Sequence, residues 1–190
     1  MSSTTPRIEP LTDAELSDEA RALLALPLEG VEASSARDFF KILLRHPGLY
    51  RRFAPFAGKL LTKGKLVARD RELLILRIAS LCDAPFEWTE HVRIARTVGL
   101  TIDEIERIRI GSTAYEWADD DATLLRAAEE LHSTARIRDA TWSRLAARLS
   151  VEQLIELPFL VGAYQMLAYV QNSLDIPASE TSAQFDLGRE

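Results

Sequence analysis

Glu87 and His91 carry the clearest chemical signal in this 190-residue sequence. They lie in the stretch Ala84-Pro85-Phe86-Glu87-Trp88-Thr89-Glu90-His91-Val92-Arg93-Ile94-Ala95. A proline near the start suits the first turn of a helix. Four-residue spacing then stacks Glu87 and His91 on one helix face. That face continues through Ile94, Ala95 and Val98, whereas Thr89, Glu90, Arg93, Arg96 and Thr97 mark a wet face. A carboxylate and an imidazole turned inward are costly unless paired or used. They are also the groups that move protons near neutral pH.

A third polar group joins them from the preceding segment. Arg69-Asp70-Arg71-Glu72 runs into Leu73-Leu74-Ile75-Leu76, which is apolar nearly all round and so predicts a buried helix. Glu72 enters that burial zone about one turn in. A helical hairpin broken at Asp83-Ala84-Pro85 would bring Glu72 against Glu87 and His91. Arg69 or another base at the helix start could pair with Glu72.

The elements around this hairpin all read as helices. Breaks fall at Pro27, at Gly30 to Ser35, at His46-Pro47-Gly48, at Gly64 and at Gly99. Helices are expected from Thr12 to Leu26, Arg37 to Arg45, Leu49 to Thr62, Val67 to Cys82 and through Val98. Thr101-Ile102-Asp103-Glu104 and Ser150-Val151-Glu152-Gln153 are capping-box patterns. The first opens a helix before a loop from Gly111 to Asp121. The second opens a long last helix to about Leu174, with Pro158 as a place for a bend. Between them lie Ala122 to Thr134 and a short helix capped by Asp139 or Thr141. No segment alternates with period two, so an all-α single domain over 1–190 is expected, its core at about 12–175 between loose tails.

Composition narrows the function classes. Net charge is −6 with no dense basic tract, which argues against nucleic acid and anionic membrane as partners. No apolar run is long enough for a bilayer, and no signal-peptide pattern opens the sequence, so a cytoplasmic location is expected. The lone Cys82 excludes an internal disulfide and a cysteine zinc site. No His-Glu-x-x-His pattern supplies a metal, and none is expected.

The segment from Val67 to Arg109 resembles the carboxymuconolactone decarboxylase family, which includes alkyl hydroperoxidase D-like proteins. The resemblance rests on Arg-Asp-Arg-Glu, the apolar run, Ala-Pro-Phe-Glu-Trp, the following His, and Gly-Leu-Thr before the next helix. It implies an alkyl hydroperoxidase D-like helical bundle assembled as a homo-oligomer, a trimer or hexamer. The peroxidase branch uses a glutamate, a Cys-x-x-Cys pair and a histidine. By spacing these fall on Glu72, on Ala84 and Glu87, and on His91. Both thiol positions are therefore lost, and the sequence looks like the decarboxylase side of the family, which works without metal or organic cofactor.

The resulting expectation is a cofactor-independent lyase or isomerase acting on a small carboxylated lactone or related enolisable acid. His91, Glu87 and Glu72 are the catalytic candidates, with either carboxylate orienting the imidazole. Arg71, Arg77 or Arg93 could supply the cation for an anionic small-molecule substrate. Trp88 and Tyr115 are candidate substrate contacts as well as packing residues, and Trp117 shares the loop of Tyr115. The alternatives are a peroxide-reducing antioxidant protein and a non-catalytic helical binding or assembly protein that retains the pocket.

Overall fold

Nine helices and no strand occur among the described residues, 5–24 and 34–178, of a computed structural model. They are α1 (Asp18–Leu24), α2 (Ser34–Leu43), α3 (Pro47–Thr62), α4 (Ala68–Leu81), α5 (Pro85–Thr97), α6 (Ile102–Ile110), α7 (Asp119–Thr134), α8 (Asp139–Arg148) and α9 (Val151–Ser173). The expected stop at Pro27 lies outside the described residues. The chain divides into two compact units, one of residues 1–63 and 173–190, the other of residues 64–172.

In the first unit, Leu16, Ala20, Leu23, Leu44, Tyr50 and Ala54 form a core joined by Leu11, Leu24, Phe40 and Leu43. Thr12 to Glu15 is a turn rather than helix, closed by Thr12 and Glu15 bonding each other's backbone N–H groups. The break at His46-Pro47-Gly48 is shorter than the sequence suggests. His46 Nδ1 accepts the Leu49 N–H and caps α3, so Pro47 is already its first residue.

The second unit is built around α4. Leu73, Leu74, Ile75, Leu76, Ile78 and Ala79 are buried all round the helix, which packs on α5, α6 and α7. The four polar residues at its start splay about 100° apart, and each finds a different partner. Arg69 donates to Asp121 on α7 at 2.8 Å and to Glu104 on α6 at 2.5 Å. Asp70 is held by Arg148 of α8. Arg71 and Glu72 bond to each other. Further along, Arg77 donates to the carbonyls of Ile108 and Arg109 at the end of α6 and to Glu129 of α7. Gly111 follows at φ 106°, and a Cβ there would collide with the Arg77 guanidinium.

Both capping boxes form, at Thr101/Glu104 and at Ser150/Gln153. The aspartates expected just ahead of α7 instead make its first turn, where their charge suits the helix dipole. Neither Asp139 nor Thr141 caps α8. Asp139 is its first residue, and Thr141 is buried against Glu130. Along α9, Val151, Ile155, Phe159, Met166 and Tyr169 line one exposed face with Gly162 among them. Tyr164 and Gln171 are buried on the other.

Candidate functional site

The tight break between α4 and α5 places the three polar candidates. Cys82 ends α4, Asp83 takes the left-handed conformation at φ 48°, and Pro85 starts α5. Asp tolerates that conformation better than most residues because its short side chain bonds locally. The turn is closed by the Ala84 N–H donating to the Ala79 carbonyl. The two helices then run back along each other, with Glu72 one turn into α4 and His91 two turns into α5.

Glu72 is fully buried and accepts two bonds. His91 Nδ1 donates to its Oε2 at 2.7 Å, and Arg71 Nε donates to its Oε1 at 2.9 Å. Arg71, not Arg69, is therefore the base at the helix start that pairs with Glu72. A carboxylate on Nδ1 fixes the imidazole's orientation and leaves Nε2 for chemistry. The Tyr164 ring of α9 stands edge-on to the His91 ring, centroids 4.9 Å apart at 86°. Burial first, then the Glu72 and Glu87 carboxylates, raise the Tyr164 hydroxyl well above its ordinary value.

Glu87 takes a different part from the one the spacing suggests. It is 1% exposed, and neither carboxylate oxygen has a hydrogen-bond partner. Burial pushes its pKa well above the ordinary carboxylate range. The Gln171 amide beside it offsets this in part, without closing a well-formed hydrogen bond to either oxygen. The two carboxyl groups thus separate by environment: Glu72 is held between Arg71 and His91, whereas Glu87 favours its neutral form.

The remaining candidates are placed unequally. Arg71 belongs to the cluster, while Arg77 is committed to the end of α6 and to Glu129. Trp88 lies under the Arg109 guanidinium at 3.9 Å, a cation–π contact between α5 and α6. Tyr115 is 86% exposed on the α6–α7 loop and is not brought to the buried pair. Trp117 donates to the Gly111 carbonyl and carries Arg107 on its ring, which gives it a packing role. Cys82 Sγ is 3.7 Å from His132 Nδ1, and burial followed by Glu87 raises its thiol to about 11. Among the described residues, no three His, Cys, Asp or Glu side chains gather to hold a metal ion. Sequence reasoning missed Tyr164 and Gln171. Their signal was polarity on the inward face of an otherwise apolar helix.

Glutamate on the first helix, histidine on the second and the Asp-Ala-Pro break between them lie within a segment, 47–130, that matches the carboxymuconolactone decarboxylase family. This likeness covers residues 47–130, less than half of the chain. Solved structures agree on the fold. A peroxidase-related protein from Ralstonia eutropha JMP134, described as an alkylhydroperoxidase AhpD core, superposes with a TM-score of 0.78 at 14% identity, covering 94% of this chain and 95% of that one. A protein of unknown function from Agrobacterium tumefaciens, described as a candidate AhpD antioxidant-defence protein, gives 0.66 at 16% identity, over 72% and 95%. A peroxidase-related protein from Silicibacter sp. TM1040 gives 0.63 at 13%, over 83% and 91%. No curated protein matches the sequence. The fold is that of AhpD-like helical proteins.

Proposed function

We propose that the chain is a cofactor-independent lyase or isomerase acting on a small carboxylated lactone or related enolisable acid. The observation that carries this reading is a buried imidazole bonded to one carboxyl group, Glu72, on the same hairpin as a second, Glu87, that burial keeps neutral. Sites that run acid and base steps at one pH separate their titratable groups by environment in this way. Held by Glu72 at Nδ1, His91 offers Nε2 to take a proton from, or return one to, the carbon next to the substrate's carboxylate. In a decarboxylation, the C–C bond to the carboxylate breaks, carbon dioxide leaves, and the electron pair remains as an enolate. His91 then returns a proton to that carbon. Glu87, kept neutral by burial, donates toward the enolate oxygen. Arg71 is the cation nearest to hand for the substrate's own carboxylate. The protein works as a homo-oligomer on a small molecule in the cytoplasm.

The peroxide-reducing alternative draws support from the descriptions of the similar structures. The thiol chemistry weighs against it. The two positions of a Cys-x-x-Cys pair hold Ala84 and Glu87, and a thiol raised to about 11 is almost wholly unreactive near neutral pH.

The deciding experiment follows deuterium exchange and carbon dioxide release across a panel of lactone and keto acids. Turnover in the wild-type chain should drop about a hundredfold to ten-thousandfold in His91→Ala. Near-normal turnover in folded His91→Ala would remove the imidazole from the mechanism. A purely structural histidine would instead lower the melting temperature and leave turnover per folded molecule intact.

A further inference from the structure

Charge is unevenly placed along the sequence. Residues 39–69 hold eight lysines and arginines and no acidic residue, in a chain whose net charge is −6. Five of the eight are in ion pairs: Lys41 with Asp13, Arg45 with Glu15, Arg51 with Glu19, Lys65 with Glu152, and Arg69 with Asp121. Arg52, Lys59 and Lys63 are in none among the described residues, and Lys59 reaches only the Lys63 carbonyl. These three share a face of α3 with two exposed apolar side chains. Leu49, Arg52, Phe56 and Lys59 follow one another in steps of three and four, and Lys63 continues the series at the C-cap. Leu49 is 59% exposed and Phe56 39%. The first unit thus presents a stripe in which apolar and cationic side chains are interleaved.

The second unit presents the opposite charge around a similar apolar pair. On α6, Asp103, Glu106 and Ile110 follow in steps of three and four on the exposed side, and Ile110 is 68% exposed. The loop to α7 carries the still more exposed Tyr115, with Glu116 beside it and Asp119 at the start of α7. This loop is held from within. Arg107 donates to the Glu116 carbonyl and carboxylate, Trp117 to the Gly111 carbonyl, and Ser112 twice to Glu129. A ring kept in solvent on a fixed loop loses little freedom when a partner covers it.

We propose that the α3 stripe of one copy docks on the Ile110–Tyr115 knob of a second copy of this chain. Charge complementarity selects the occupant: an apolar pair rimmed by acids meets an apolar pair rimmed by bases. Exposed ion pairs add little affinity, so Tyr115, Ile110, Leu49 and Phe56 carry the binding, and the charges fix register and speed encounter. The two surfaces differ, so the contact is head-to-tail and closes as a ring. This rests on the homo-oligomer part of the proposed function and is independent of the proton-transfer chemistry.

Sedimentation velocity of the full chain across micromolar concentrations tests the contact. Assembly should weaken as salt rises from about 50 to about 500 mM, which shortens the reach of exposed charges. Tyr115→Ala should weaken it about tenfold or more and leave the melting temperature unchanged. Lys59→Glu with Lys63→Glu should lower the assembled mass, and so should Glu106→Lys with Asp119→Lys. The chain carrying all four changes should assemble again, because the charges are then exchanged rather than lost. A contact through any other face would ignore all four. Charge-reversed pairs that assemble like the wild type overturn the proposal, as does failure of the fourfold variant to recover while melting curves show it folded. So does a wild-type chain that stays monomeric, whether inert or sedimenting with phosphatidylcholine–phosphatidylglycerol vesicles, the latter result giving the α3 cations to a membrane. These outcomes are read as mass, whereas the proton-transfer reading is judged by turnover in folded His91→Ala.

Discussion

Replacing Glu87 by glutamine isolates the energetic cost of its burial. The two side chains are nearly isosteric, so packing changes little, while the titratable group is removed. In the unfolded chain Glu87 loses its proton around the ordinary value of 4.5, whereas burial keeps it protonated to well above that in the fold. The unfolded state then binds fewer protons than the folded state, and stability falls as pH rises between those two values. Below about pH 4.5 the wild type and Glu87→Gln should be nearly equal in stability. Above it the variant should gain about 1.4 kcal/mol for each pH unit until the folded-state carboxyl ionises. For a chain of this size that is roughly 3–5 °C of melting temperature per unit. Other titrating groups, including the buried Asp70, are present in both proteins and cancel in the difference. Melting curves of both proteins at half-unit steps from about pH 4 to pH 8 give the result. A difference that stays flat across that range would mean that Glu87 is ionised and paired in the fold, and would refute both its neutral state and its role as a proton donor.

Cys82 should react with thiol reagents only slowly, since a thiol raised to about 11 is roughly one part in a thousand thiolate at pH 8. Cys82→Ser should leave any turnover nearly unchanged, and robust peroxide consumption that disappears in that variant would reverse the functional reading. Arg148→Ala should cost about 2 kcal/mol in denaturant unfolding, because it strands the buried Asp70 carboxylate, with part of the loss screened by solvent at the exposed arginine. The loss should shrink in acid as Asp70 protonates, and equal losses at all pH would speak against the pair. The exposed face of α9 should be a subunit contact. An antiparallel pair of α9 helices would set Ile155 opposite Met166 and Phe159 opposite the notch at Gly162, so an even-numbered oligomer such as a hexamer is expected. Light scattering that shows the same mass for the wild type and for a double Ile155→Glu, Met166→Glu variant would dismiss that contact.

The central hairpin was legible in the sequence because its signals are local. A proline, an all-round apolar run and four-residue spacing fix α4, α5 and the inward side of Glu72, Glu87 and His91. Both capping boxes were equally legible, since donor and acceptor lie three residues apart. The partner of His91 was not. Glu87 on the same helix and Glu72 on the preceding one are both within reach by spacing, and only the packing of α4 on α5 gives the imidazole to Glu72. Gln171 and Tyr164 were missed for a related reason: they come from α9, some eighty residues beyond Glu87, and their local mark, polarity on an inward face, does not say which residues they meet. Boundaries slipped where a side chain does unexpected work, as at His46, whose ring caps α3 and moves its start to Pro47. Tyr115 shows the limit of composition, since an aromatic residue in a polar loop proves to be open to solvent.

The last helix faces two ways. Its inner side sets Tyr164 against His91 and Gln171 beside Glu87, and its outer side carries the apolar stripe. A neighbouring copy pressing on that stripe would therefore grip the same rod that backs the candidate site. Protein concentration then becomes an input to the site: turnover per chain should fall on dilution below the assembly threshold, before any loss of helix is visible by circular dichroism.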